Sequence, residues 1–143
     1  MQIIDTTEGR INLSNDFSVG KNTSAQELIQ ALGAEKFEAI DTSDHGTHCK
    51  IWNVKLNDQY FLFDYYFGKD HLRLISFILN DNYIVAGTWD DWSKKEELKK
   101  KGFFNKWLTA QIGTGRKFPW GIIDACYHVQ GGFSHIFLNY NEA

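Results

Sequence analysis

The sequence predicts an α+β fold: a mostly antiparallel, twisted sheet with two helices packed on it. Three observations carry that prediction. Four runs rich in aromatic and β-branched residues follow one another between 36 and 79, separated only by short polar turns. Two segments of helical periodicity each have a capping serine at one end and a glycine at the other. Aromatics make up 15% of the 143 residues, with eleven Phe, six Tyr and five Trp, which favours strands and large rigid packing surfaces.

From the N-terminus, "MQIID" and "RINLS" flank "TTEG" and read as a short opening hairpin. "NTSAQELIQALG" follows as a helix. Ser24 and Glu27 have the spacing of a capping box, Leu28 and Leu32 share a face with Ala25, and Gly33 stops the helix. A meander comes next, "KFEAIDT", "THCKIWNVKL", "QYFLFDYYF" and "HLRLISFIL", turning at "SDHG", "ND" and "GKD". In its third strand Phe61, Phe63, Tyr65 and Phe67 alternate with Tyr60, Leu62, Asp64 and Tyr66. Aromatics on both faces place that strand centrally, with its second face not fully solvated.

After "NDNYIVAGTWDDW" a second helix begins at Ser93, with Glu96 completing a second capping-box pattern and Asp90 and Asp91 near the positive end of its dipole. Leu98, Phe104, Leu108 and Ile112 fall near one stripe, Gly102 marks a break into two pieces, and Gly113 ends the helix. "FPWGIIDACYHVQGGFSHIFLNY" closes the chain as a hairpin. A two-residue turn at Gly131-Gly132 would pair His128 with His135. One face then holds Ile123, Ala125, Tyr127, Val129, Ser134, Ile136, Leu138 and Tyr140 as core. The other holds Asp124, Cys126, His128, His135, Phe137 and Asn139. No linker, low-complexity tract or fixed-period repeat divides the chain, so residues 1–143 read as a single globular domain.

Composition narrows the function. A net charge of −3 gives no electrostatic footprint for nucleic acid. The Lys-rich run 94–101 contains Glu96 and Glu97 at ion-pairing spacing and reads as a solvated helix face. No apolar run approaches the ~18 residues of a spanning helix, and "MQIIDTTEGR" lacks the features of a signal peptide. The expected location is cytoplasmic, where Cys49 and Cys126 remain thiols.

Few groups suggest chemistry. Cys126, His128 and His135 share a hairpin face and form the one candidate metal set, but without the ligand-pair spacing of zinc sites. "DHGTHCK" offers His45, His48 and Cys49, yet on a strand His48 and Cys49 point to opposite faces, so a polar turn around Gly46 explains it better. Either Cys beside a His would give a hydrolase nucleophile and base, but no signature surrounds them. Phosphate loops and metalloprotease motifs are missing, and Gly131-Gly132 is turn chemistry because no helix follows it. No cofactor is expected.

The tryptophans divide between packing and recognition. Trp107 and Trp120 fit the core, whereas Trp89 and Trp92 flank a loop and suit a protein contact. "TWDDWSKKEELKKKGFFNKWL" followed by "FPWGIIDACYHVQGGFSHIFLNY" places a W-x-x-W, a glutamate, a W-L pair, a P-W-G and a glycine-containing final hairpin in succession. Residues 87–140 thereby resemble small bacterial immunity-type proteins associated with polymorphic or contact-dependent toxins. The resemblance implies a cytoplasmic, non-enzymatic binder that neutralises a cognate toxin, and it carries over no active-site residue. Such a binder needs aromatic anchors and complementary charge. The expected contact set is Asp81, Trp89, Asp90, Asp91, Trp92, Asp124, His128, His135 and Phe137, its acidic members suiting a basic nuclease. The alternatives are a small metal-binding protein or Cys/His hydrolase on the Cys126/His128/His135 face, and a structural scaffold or homodimer using the aromatics on both faces of the central strand.

Overall fold

The computed structural model describes residues 2–87 and 89–141, Trp89 through its backbone only. Among these described residues are two α-helices and ten strands in two antiparallel sheets. Strands β1 (Ile4–Asp5), β2 (Arg10–Asn12) and β3 (Ser18–Val19) form a small sheet, extending the expected hairpin by one strand. The large sheet contains β4 (Phe37–Ser43), β5 (Gly46–Leu56), β6 (Gln59–Phe67), β7 (Leu72–Asn80), β8 (Lys117–Phe118), β9 (Gly121–His128) and β10 (Phe133–Tyr140). Its order is β4-β5-β6-β7-β10-β9-β8, so the final hairpin docks against the end of the meander.

Alternation sorts the residues onto two faces. Phe61, Phe63, Tyr65 and Phe67 of β6 are buried together with Ile75, Phe77, Ile136 and Leu138, while Leu62 and Asp64 are half-buried and Tyr66 is exposed. Helix α1 (Ala25–Leu32) carries the capping box between Ser24 and Glu27 and buries Leu28. Helix α2 (Lys94–Ile112) lies against β9 and β10, and its Trp107 ring meets Phe61 and Phe77 edge-on. The Trp120 indole donates to the Thr6 carbonyl at 2.7 Å and the Tyr140 hydroxyl donates to the Gly9 carbonyl at 2.6 Å, tying the final hairpin to the small sheet. Satisfying each polar tip in this way is what lets two amphipathic aromatics sit so deep.

Three expectations are corrected. Helix α2 runs unbroken through Gly102. Its buried stripe is Glu97, Phe104 and Leu108, while Leu98 is 45% exposed. At ~100° per residue, seven steps bring Glu97 back beneath Phe104, but six leave Leu98 ~120° away. In the final hairpin the connection is the four-residue Val129–Gly132, closed by the Gly132 amide donating to the His128 carbonyl at 2.8 Å, with Gly132 at φ 69°. His128 therefore pairs with Phe133 and His135 with Cys126. A shift of two residues keeps the expected faces but moves Val129 out of the strand, to 80% exposed.

One irregularity shapes the open face. The β5–β6 register slips between Ile51 and Val54, where Asn53 takes a left-handed φ of 57°. Asn tolerates that region better than most residues. Its side chain then imitates a strand neighbour: Nδ2 donates to the Ile84 carbonyl at 2.9 Å, and the Ile84 amide donates to Oδ1 at 2.7 Å. The segment after β7 is thereby held against the sheet.

Candidate functional site

The β7–β10 ladder runs from Asn139↔Leu74 only to Ile136↔Phe77. Beyond it the remaining residues of the two strands are not paired to each other, and a cavity of about 340 Å³ opens, lined by Leu62, Ser76, Ile78, Phe133 and His135 with Glu97 and Lys100 of α2. Leu62, Ile78 and Lys100 also line a neighbouring cavity of about 560 Å³, walled by Trp52, Tyr83, Val85 and Phe103. Lys50, Glu97, Lys100 and Phe133 join the smaller one to a third, of about 630 Å³, bordered by Asp91, Trp92, Gly131 and Gly132. Sharing these residues, the three adjoin as a groove between the open sheet face, the 81–87 segment and the first half of α2.

Side-chain placement gives the groove its character. Ten large apolar side chains are exposed among the described residues, and five of them (Tyr83, Val85, Trp92, Phe103 and Phe133) line this groove. Scattered exposed apolar residues need no explanation, but convergence on one concavity does. Glu97, only 9% exposed, anchors the wall: its Oε1 accepts the Ser134 amide at 2.9 Å and its Oε2 lies 2.8 Å from Lys100 Nζ. The Trp92 indole donates to the Gly132 carbonyl, fixing the far end.

Two polar pairs stand on the open face. Ser76 Oγ and His135 Nδ1 lie 2.5 Å apart, and His48 Nε2 lies 2.8 Å from Asp64 Oδ1, with His48 stacked on Tyr66. Asp64 stands directly across from Ser76, yet its carboxylate engages His48. Burial depresses the His135 pKa below its ordinary value; the nearby His128 adds to the effect and Asp64 opposes it. Burial likewise raises both thiols, Cys49 with help from Asp41, and Cys126 with help from Asp124 against an opposing Lys101. Such thiols stay protonated near neutrality, the opposite of what a nucleophilic cysteine requires.

The structure brings together some of the expected contact residues. His128, Phe133, His135 and Phe137 form a continuous ring strip with centroids 5.0–5.7 Å apart, and Phe137 stands opposite Asp124. Asp91 and Trp92 reach the groove, and Asp90 is exposed in the same single turn of 3-10 helix, Trp89–Asp91. Asp81 accepts from Gln59 at 2.9 Å, and Asp124 lies 3.4 Å from Arg116; neither lines the groove. The role expected of the Trp89 indole lies outside the described residues.

The residues of the alternative metal set make different contacts. His135 faces Cys126, but His128 Nδ1 accepts the Gly131 amide at 2.9 Å within the turn. Among the described residues no group of three His, Cys, Asp or Glu side chains is placed to hold a metal ion. None of their helices is long and apolar enough to cross a membrane.

Sequence reasoning missed Trp52, Leu62, Ile78, Tyr83, Val85 and Phe103. One signal was available: "YIVAG" is an apolar run in a connection, with no strand of its own to justify it. Compared with protein-family models, curated proteins and solved structures, the chain matches none.

Proposed function

We propose that this chain is a partner-binding protein without chemistry of its own, and that the groove beside the open sheet face receives another protein. The observation that supports this is the convergence of Tyr83, Val85, Trp92, Phe103 and Phe133 on one concavity whose walls are held by Asn53 and Glu97. Rigid aromatic anchors in a preformed depression are the usual seat of binding energy in protein interfaces. The resemblance of residues 87–140 to immunity-type proteins supports a more specific form: a bacterial cytoplasmic inhibitor that neutralises a cognate toxin by occluding its active site.

Co-expression with the products of the flanking genes, followed by calorimetry on any that co-purifies, tests both levels. The inhibitor reading expects a stoichiometric complex that suppresses the toxin's activity. Phe103→Asp, at a 41% exposed position, should weaken that complex at least about 30-fold, the scale of an interface hot spot. A complex indifferent to Phe103→Asp and to Leu62→Arg would remove the groove from the account.

A further inference from the structure

The charge of this chain is strongly segregated. Residues 94–117 hold eight Lys or Arg and two Asp or Glu, a surplus of six positive charges. All other residues together hold seven basic and sixteen acidic side chains, an excess of nine negative charges. Most of the basic surplus is on α2: Lys94, Lys95, Lys99, Lys100, Lys101 and Lys106 are all exposed.

That helix forms one wall of the groove. In the 560 Å³ cavity every charged lining residue comes from α2, namely Glu96, Lys99 and Lys100. Glu96 is engaged by Lys99 at 3.3 Å, and Lys100 by the buried Glu97. At ~100° per residue Lys95 and Lys106 lie within ~80° of Phe103, which is 41% exposed, whereas Lys94 and Lys101 lie ~160–180° from it, beside Leu98, which is 45% exposed. Over the three cavities Lys50, Lys99 and Lys100 stand against Asp64, Asp91, Glu96 and Glu97, so the basic surplus flanks the groove on the exposed side of α2, at Lys95 and Lys106, and is not in its lining. Asp64 is held by His48 at the sheet, and Asp91 borders the far cavity.

We infer that the occupant of the groove is an acidic segment of another protein, an aromatic or aliphatic anchor with Asp or Glu beside it. The anchor enters between Leu62, Ile78, Val85 and Phe103, and the flanking carboxylates lie along the α2 lysines. This rests on the partner-binding reading and adds the partner's chemistry to it. It differs from the basic partner that Asp81, Asp90, Asp91 and Asp124 suggest, because Asp81 and Asp124 lie off the groove in contacts of their own. Opposed fields of this kind set encounter rate and partner choice, and they act within about 10 Å at moderate salt.

Selection of a random dodecapeptide library on the full chain, followed by titration of the synthetic winners, tests the inference. Expected winners combine Trp, Phe or Leu with a surplus of Asp and Glu. Their affinity should fall about tenfold between about 50 and 300 mM salt, and Lys95→Glu/Lys106→Glu should lower it by a similar factor with the far-ultraviolet circular dichroism unchanged. Winners that depend on Leu62 and Phe103 but carry no acidic surplus and no salt dependence would overturn this inference while leaving the groove reading intact. Winners indifferent to Leu62→Arg and Phe103→Asp, or no winners, would overturn both. Tighter binding to anionic vesicles or to duplex DNA than to any acidic peptide would assign the basic helix to a lipid or nucleic-acid surface and overturn it as well.

Discussion

Glu97 and Ser134 are locked together twice: the Ser134 amide donates to the Glu97 carboxylate, and the Ser134 hydroxyl donates to the Glu97 carbonyl. A glutamate in the first turn of α2 thus completes the hydrogen bonding of β10 where that strand leaves β7. Removing the carboxylate strands a buried amide, which costs about 2–3 kcal/mol. Glu97→Ala should lower stability by that amount in urea unfolding. Glu97→Gln, which keeps an acceptor, should cost about 1 kcal/mol, and exposed Glu96→Ala less than either.

Asn53 clamps the opposite wall. Asn53→Gly keeps access to the left-handed backbone but deletes both hydrogen bonds to Ile84. The expected cost is about 1–2 kcal/mol, with faster amide exchange at Ile84 measured by NMR and weaker partner binding through loss of preorganisation. Unchanged exchange at Ile84 would show that the 81–87 segment is held by other contacts.

His135 sets a direction for pH dependence. Burial favours its neutral imidazole, so between its depressed native pKa and the ordinary 6.5 the unfolded chain binds the extra proton. Its contribution to stability is fully present above pH 6.5 and is lost as pH falls through the native value. Urea midpoints should therefore decline on acidification below pH 6.5, and His135→Asn should flatten that decline.

Both thiols should react slowly. Cys49 is fully buried and Cys126 half-buried, and burial raises each pKa. An aromatic disulfide reagent at pH 7.5 should modify Cys126 slowly and Cys49 only on unfolding. Rapid modification of the native chain at either position would contradict the packing described for that strand.

Much of this architecture is legible in residue order. The alternation in "QYFLFDYYF" separates core from open face because a strand has a period of two, and Ser24, Ser93, Gly33 and Gly113 mark helix ends through capping chemistry. Errors arise where the decision is tertiary. Leu98 looks like core by type, but Glu97 holds the inward position because Ser134 offers it a donor. The final hairpin keeps its faces because any even slip does so, yet its partner pairs depend on the turn Gly132 adopts. Strand order and the groove could not be read, because Trp52, Leu62, Tyr83 and Phe103 come from four separate segments that strand pairing, the Asn53–Ile84 clamp and the packing of α2 bring together.

The central claim is that the groove binds a protein. Calorimetric titration of a protein that co-purifies with the chain, into the wild type and into Phe103→Asp and Leu62→Arg, tests this directly. A saturable one-to-one complex is expected with the wild type and a loss of at least about 30-fold with each variant, while the variants' far-ultraviolet circular dichroism is unchanged. Equal affinity for all three proteins would contradict it.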